Sequence, residues 1–252
     1  MTVLIVGCGF TGKRVARRML ARGARVIATS RDPANLALLS VEAIRIEDVP
    51  NVIEPGCLVL HSIPPDGSPD VMKFIGDAPA RVVYLSTTGV YGSAKIVDET
   101  TPVDWSNERA RARLEEEQRV AAGPWSMLVL RPAAIYGPGR GVQESVKLGT
   151  YPPGDNFISR IHVDDLAAHV EAALLSNITG AYPVADEEPC TSREIAEFCA
   201  NLLKVKLPYG PVTTPRIFGD RKVDGSAIRR LLGVTLQYPS YRIGIPAAIL
   251  ES

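Results

Sequence analysis

Six residues near the N-terminus constrain this chain more than any others. Gly7-Cys8-Gly9-Phe10-Thr11-Gly12 follows the apolar run Val3-Leu4-Ile5-Val6 directly and leads into a segment whose apolar residues, Val15, Met19 and Leu20, recur at helical spacing. A β-rich run, a glycine turn and a helix in immediate succession open a parallel α/β sheet. Each glycine has its own reason to be there. Gly7 permits the tight turn, Gly9 lets backbone approach a pyrophosphate, and Gly12 lets the helix pack closely on the strand. The helix N-terminus adds amide donors and the positive end of a dipole, with Phe10 and Thr11 at its first positions. Such a turn fits a dinucleotide.

Strand and helix patterns keep alternating beyond it. Apolar runs at 24–29, 41–46, 57–61, 81–85 and 125–130 are nearly continuous rather than alternating, the pattern of strands covered on both faces. A short helix at 33–39 opens with Asp32 as cap and Pro33 at its first position. Residues 137–160 are rich in glycine and proline (Gly137, Pro138, Gly139, Gly141, Gly149, Pro152, Pro153, Gly154), as in a loop lobe over a ligand cleft. Helices are expected at 163–175, 192–203 and 226–232, a strand at 181–185, and a Pro-rich connection at 205–221. The expected fold is one α/β domain over 1–252, a Rossmann-type doubly wound parallel sheet. A small C-terminal substrate lobe would be built mainly from 137–160 and 186–252.

The end of the second strand chooses the cofactor. NAD sites place an acidic side chain there for the ribose hydroxyls, whereas NADP sites remove it and supply an arginine. The residues here are Ser30 and Arg31, a small hydroxyl and a guanidinium that suit a 2′-phosphate, while Asp32 comes one place late and reads as a helix cap. NADP(H) is therefore expected rather than NAD(H). Lys plus Arg and Asp plus Glu both number 28, so the net charge is zero and the basic excess of a nucleic-acid binder is missing. No run approaches the roughly 18 apolar residues of a membrane span, and the opening strand leaves no room for a charged signal region. A cytoplasmic protein, monomer or homodimer, working on a small molecule is expected. Cys8, Cys57, Cys190 and Cys199 form no CxxC pair, and the three histidines are scattered, so reduced thiols and no metal are expected.

Four separated motifs resemble the extended short-chain dehydrogenase/reductases, the NAD-dependent epimerase/dehydratase family. They are the glycine turn, 85–92 (Leu-Ser-Thr-Thr-Gly-Val-Tyr-Gly), 130–139 (Leu-Arg-Pro-Ala-Ala-Ile-Tyr-Gly-Pro-Gly) and 160–165 (Arg-Ile-His-Val-Asp-Asp). The resemblance implies that Thr87 hydrogen-bonds the reacting oxygen of a substrate and that Ser86 beside it contacts the cofactor. It also implies that Arg131 and Pro132 border the nicotinamide and that the His-Val-Asp-Asp block starts a helix.

One departure from the family is chemical. Its catalysis needs a Tyr and a Lys four residues apart on the helix after the fifth strand, yet 105–122 holds neither. Arg109 and Arg113 stand at the matching positions, and arginine cannot donate and recover a proton near neutrality. They would either bind an anionic substrate or belong to a solvated face laced with salt bridges, since 108–119 is almost entirely charged or alanine. Tyr91 and Lys95 spell the right spacing, but outside a helical pattern and with Gly92 between them. Tyr136 is a further candidate acid. The positions after Thr87 lack the acidic pair of the family's dehydratases.

Two functions follow from these residues. One is an oxidoreductase or epimerase acting on a carbonyl or hydroxyl group, sugar nucleotides being common substrates in the family. The other is a dinucleotide-binding sensor or scaffold without turnover.

Overall fold

The computed structural model describes residues 1–65, 70–151, 153–207 and 220–251, with every side chain among them but that of Arg109. Seven strands form its central sheet: β1 (Thr2–Val6), β2 (Arg25–Thr29), β3 (Glu42–Ile44), β4 (Cys57–His61), β5 (Pro79–Leu85), β6 (Ser126–Pro132) and β7 (Gly180–Val184). Their spatial order is 7-6-5-4-1-2-3, and every neighbouring pair is parallel. The chain winds outward from β1 through β2 to β3, then crosses back to β4 on the other side. That reversal opens a crevice at the C-terminal ends of β1 and β4, where ligands of doubly wound sheets bind. The Rossmann-type sheet expected from the sequence is thus present.

The helices among the described residues are α1 (Phe10–Ala21), α2 (Val71–Ile75), α3 (Glu108–Ala121), α4 (Val142–Lys147), α5 (Val163–Leu175), α6 (Ser192–Leu203), α7 (Ser226–Leu232) and α8 (Tyr241–Leu250). Successive strand residues point to opposite faces, and both faces are buried. Val3, Ile5, Leu60, Val83 and Leu128 pack with Val15 and Met19 of α1 and Leu166 and Val170 of α5. Leu4, Val6, Val59, Val82, Tyr84 and Val129 pack on the other side with Val71 and Ile75 of α2 and Val120 of α3. Two-sided burial is the reason these strands read as unbroken apolar runs.

The third-to-fourth strand link holds only a 3₁₀ turn, Ile46–Asn51, in keeping with its short length. The helix expected at 33–39 is a 3₁₀ turn over Pro33–Leu36, and the Asp32 carboxylate accepts from the Ala34 amide at 3.2 Å as a cap. Residues 137–160 are not all loop. They contain α4, which joins α6 and α8 around Tyr136, Val146, Ile195, Cys199, Tyr241 and Ile245 in a separate core. Helix α8 was not legible because Gly244 and Pro246 interrupt it. Pro152, and residues 208–219 of the Pro-rich connection, lie outside the described residues. Among the described residues no helix is long and apolar enough to cross a membrane, and all four cysteines are free and buried.

Candidate functional site

The crevice between β1 and β4 is floored by the glycine turn. Gly7 has φ of +87°, and a Cβ there would lie 2.7 Å from Ile63 Cγ1. Its amide donates to Thr29 Oγ1 at 2.9 Å and its carbonyl accepts from Ser62 Oγ at 2.7 Å, so the turn is pinned to the ends of β2 and β4. A Cβ on Gly12 would sit 3.1 Å from Ile5 Cγ2 and 3.2 Å from the Gly7 carbonyl oxygen, which leaves only hydrogen room between helix and strand. Gly9 differs from both: it is exposed, and a Cβ there would meet nothing within 4 Å. No side chain caps α1, and its first turn carries no acid. Phe10 is half-buried and Thr11 buried in that first turn. An open cradle of amides with no competing carboxylate fits a pyrophosphate.

At the end of β2 the Ser30 hydroxyl donates to the Asp32 carbonyl oxygen at 2.8 Å. The Asp32 carboxylate is engaged by the Ala34 amide and by Asn35 Nδ2, each at 3.2 Å. Arg31 is exposed and, among the described residues, has no ion-pair partner. The strand end therefore offers a free guanidinium and an acid already occupied as a cap.

Beyond β5 lie the residues expected to face a substrate. Thr87 is partly exposed, and its Oγ1 accepts from the Gly89 amide at 3.1 Å, which leaves its own proton free to donate. Ser86 is buried, and its Oγ has no hydrogen-bond partner among the described residues. Tyr91 is buried, with its hydroxyl accepting from Arg131 Nη1 at 3.2 Å, and burial raises its pKa. Arg131 is turned toward Glu117, donating through Nε at 3.1 Å and Nη2 at 2.6 Å. Lys95 pairs instead with Asp220 at 3.3 Å, so Tyr91 and Lys95 serve different partners. Pro132 closes β6 opposite Val184. Tyr136 is buried with its hydroxyl packed against α8, where a Cβ on Gly244 would lie 2.1 Å from it. Burial pushes the Tyr136 pKa up, with Asp186 and Asp165 adding to the shift.

Helix α3 directs several of its charges at the sheet rather than at solvent. Arg113 Nη1 donates to the Tyr84 hydroxyl at 3.5 Å, Glu116 meets His61 Nε2 at 3.1 Å and also pairs with Arg119, and Glu117 holds Arg131. Glu116 and Glu117 are 5% and 7% exposed, which rules out a wholly solvated face. Burial depresses the His61 pKa. A cavity of about 200 Å³ opens beside this group, lined among others by His61, Ile63, Pro64, Glu116 and Arg119. Sequence reading missed His61 and Tyr84; the available signal was a polar residue at or near the end of each apolar run. Arg109 lies one helical turn before Arg113, and its side chain is outside the described residues.

The block at 160–165 starts α5. His162 Nδ1 accepts from the Asp164 amide at 3.3 Å, and the Asp165 carboxylate takes the amides of Gln237 and Tyr238 at 2.7 and 2.9 Å.

No family model matches the chain. It is 27% identical to Protein YeeZ of Escherichia coli over 94% of its own length and 96% of that protein. It is 25% identical to a 3-diazoavenalumate denitrifying reductase of a Streptomyces species, over 97% and 99%. Among solved structures, a conserved protein of unknown function from Silicibacter pomeroyi is similar at 33% identity and a TM-score of 0.82, covering 98% of this chain and 97% of that one. A protein from Methylobacillus flagellatus assigned to the NAD-dependent epimerases/dehydratases follows at 26% and 0.79, covering 98% and 97%. The human epimerase family protein SDR39U1, solved with NADPH, shares the fold at 19% identity and a TM-score of 0.78, over 98% and 99%.

Proposed function

We propose that this chain, which belongs to the extended short-chain dehydrogenase/reductases of the NAD-dependent epimerase/dehydratase type, binds NADP(H) and acts as an oxidoreductase or epimerase on a carbonyl or hydroxyl group. The observation that carries the reading is the open, uncapped amide cradle at Gly9 together with Arg31 at the end of β2, which has no ion-pair partner among the described residues. Gly9, Phe10 and Thr11 would hold the pyrophosphate, and Ser30 with Arg31 the 2′-phosphate. A bound nicotinamide supplies or accepts the hydride.

The remaining work falls to the chain's own side chains. Thr87, whose hydroxyl proton has no acceptor among the described residues, donates to the substrate oxygen and keeps a carbonyl polarised. Ser86 lies next to it with a hydroxyl unpartnered among the described residues and would line the cofactor. Arg113 acts as a fixed positive charge, not as a proton carrier. Tyr91 and Tyr136 are buried, with pKa values raised by burial, so the proton is exchanged with water or with the substrate itself. Sugar nucleotides are the substrate class to test first, since they are common substrates in this family.

A second reading, a dinucleotide-binding sensor without turnover, is favoured by one observation. The charged groups of α3 that could replace the family's dyad are engaged by the sheet.

Titration of the purified protein with NADPH and NADH, followed by nicotinamide fluorescence at fixed salt, tests the shared premise. NADPH is expected to bind about tenfold or more tighter, as one charge-assisted contact implies, and Arg31→Ala should abolish the preference. If neither cofactor binds near millimolar concentration, both readings fail. Binding with neither oxidation of NADPH across a panel of carbonyl substrates nor epimerisation of sugar nucleotides would leave the sensor.

A further inference from the structure

We propose that Arg140 is a second cation of the dinucleotide site, delivered from the lobe onto the glycine turn to bind the pyrophosphate; this rests on the reading of that turn as the dinucleotide site. Its guanidinium carbon lies 5.1 Å from the centroid of the Phe10 ring. Phe10 is the first residue of α1, directly after the open Gly9. A guanidinium stacked on an aromatic ring uses its face and keeps its N–H edge free for a bidentate anion.

Charge distribution around the ring singles out Arg140. Arg14 approaches the same ring at 4.4 Å, but it donates to Asp164 at 2.8 Å and to the Phe10 carbonyl at 3.1 Å. Arg140 is exposed and has no carboxylate partner among the described residues. With no acid in the first turn of α1, the fixed amides and this guanidinium present the same sign of charge to one space, and a diphosphate is the complementary group.

The backbone beneath Arg140 is built to hold that position. Gly137 and Arg140 exchange both of their N–H···O bonds, at 2.9 and 3.0 Å. Gln143, 1% exposed, donates from Nε2 to the carbonyls of Gly137 and Arg140 at 2.7 and 3.0 Å. A Cβ on Gly137 would stand 2.6 Å from Val163 Cγ1 and 3.3 Å from Phe10 Cζ. The turn therefore sits directly on Phe10, and only glycine permits that approach.

The test compares wild type, Arg140→Ala and Arg140→Lys in NADPH and NADH titrations across a series of KCl concentrations. Both cofactors share the pyrophosphate, so Arg140→Ala should weaken both by the same factor of about ten and flatten the salt dependence. Lysine should restore part of the affinity. The preference for NADPH should persist, in contrast to Arg31→Ala, and the melting temperature without cofactor should not move. Unchanged affinities in Arg140→Ala, with wild type still binding, overturn this proposal alone. A loss confined to NADPH moves Arg140 to the 2′-phosphate and overturns it as well. If wild type binds neither cofactor, the dinucleotide reading fails and this proposal falls with it.

Discussion

Glu117 and Arg131 face each other in a nearly dry space, joined by two hydrogen bonds, and the Tyr91 hydroxyl accepts from Arg131 Nη1 at 3.2 Å. A buried pair of this kind gains little over an apolar pair, because both charges lose their water. Breaking it from one side is costly, because the remaining charge stays buried. Glu117→Gln should therefore lower stability by about 3 kcal/mol, read as a shift in the urea unfolding midpoint. The double variant Glu117→Leu with Arg131→Met should recover most of that loss. A single variant within about 0.5 kcal/mol of wild type would mean the pair is solvated. Arg131 lay within a legible motif, but its partner did not: nothing in one dimension says that Glu117 rather than Glu115 meets a strand fourteen residues away.

Helix α5 shows how an element is both read and missed. Its span, Val163–Leu175, matches the sequence expectation because His162 caps it and its apolar residues recur at helical spacing. What anchors its far end was not visible. Arg81, 4% exposed near the start of β5, donates to the carbonyls of Ala173 and Ile178 at 2.7 and 2.5 Å and to Ser126 and Ser176 Oγ at 2.5 and 3.2 Å. One guanidinium thus fastens the C-terminus of α5 and the following loop to two strands. Arg81→Met keeps the apolar stem but leaves the Ile178 carbonyl without that donor. A loss of about 2–3 kcal/mol is expected, with faster amide exchange over residues 174–178. Exchange unchanged there would show that the anchor is dispensable. Helix α3 makes the converse point. Its charge density suggested a solvated face, and only the neighbouring strands reveal why Glu116 and Glu117 are buried.

At the scale of the whole molecule, residues far apart in the chain are joined around the candidate site. Arg221 donates to the carbonyls of Thr88, Gly92 and Ala94, the last at 3.0 Å, so a residue late in the chain holds the loop that carries Thr87. Buried titratable groups in this region set opposing pH responses. Burial lowers His162 and His169 from 6.5 to about 4. Their neutral forms are favoured in the fold, so stability is full above 6.5 and falls as pH drops toward 4. Asp186 is raised by burial from 3.8 to about 8. Its contribution is present below 3.8 and is lost as pH climbs toward 8. Asp186→Asn removes only the second slope. The variant should gain on wild type by a few kcal/mol between pH 4 and 8, since one pKa unit is about 1.4 kcal/mol. Chemical denaturation at intervals across that range measures it, and a constant difference would refute the assignment.

By itself the sequence determined the strand-turn-helix at Val3–Gly12, the run of two-sided strands, the cap at Asp32 and the absence of a Tyr-Lys pair on α3. These are local matters: glycine conformations, apolar periodicity and residue identity act over a few positions, so one dimension suffices to read them. Tertiary structure decided which polar groups meet. It paired His61 with Glu116 and Arg131 with Glu117, buried Tyr91 and Tyr136, and laid Arg140 on Phe10. Those outcomes depend on strand order and on helices packing across the sheet. Burial then set the strength of each polar contact, and burial is a property of the assembled core.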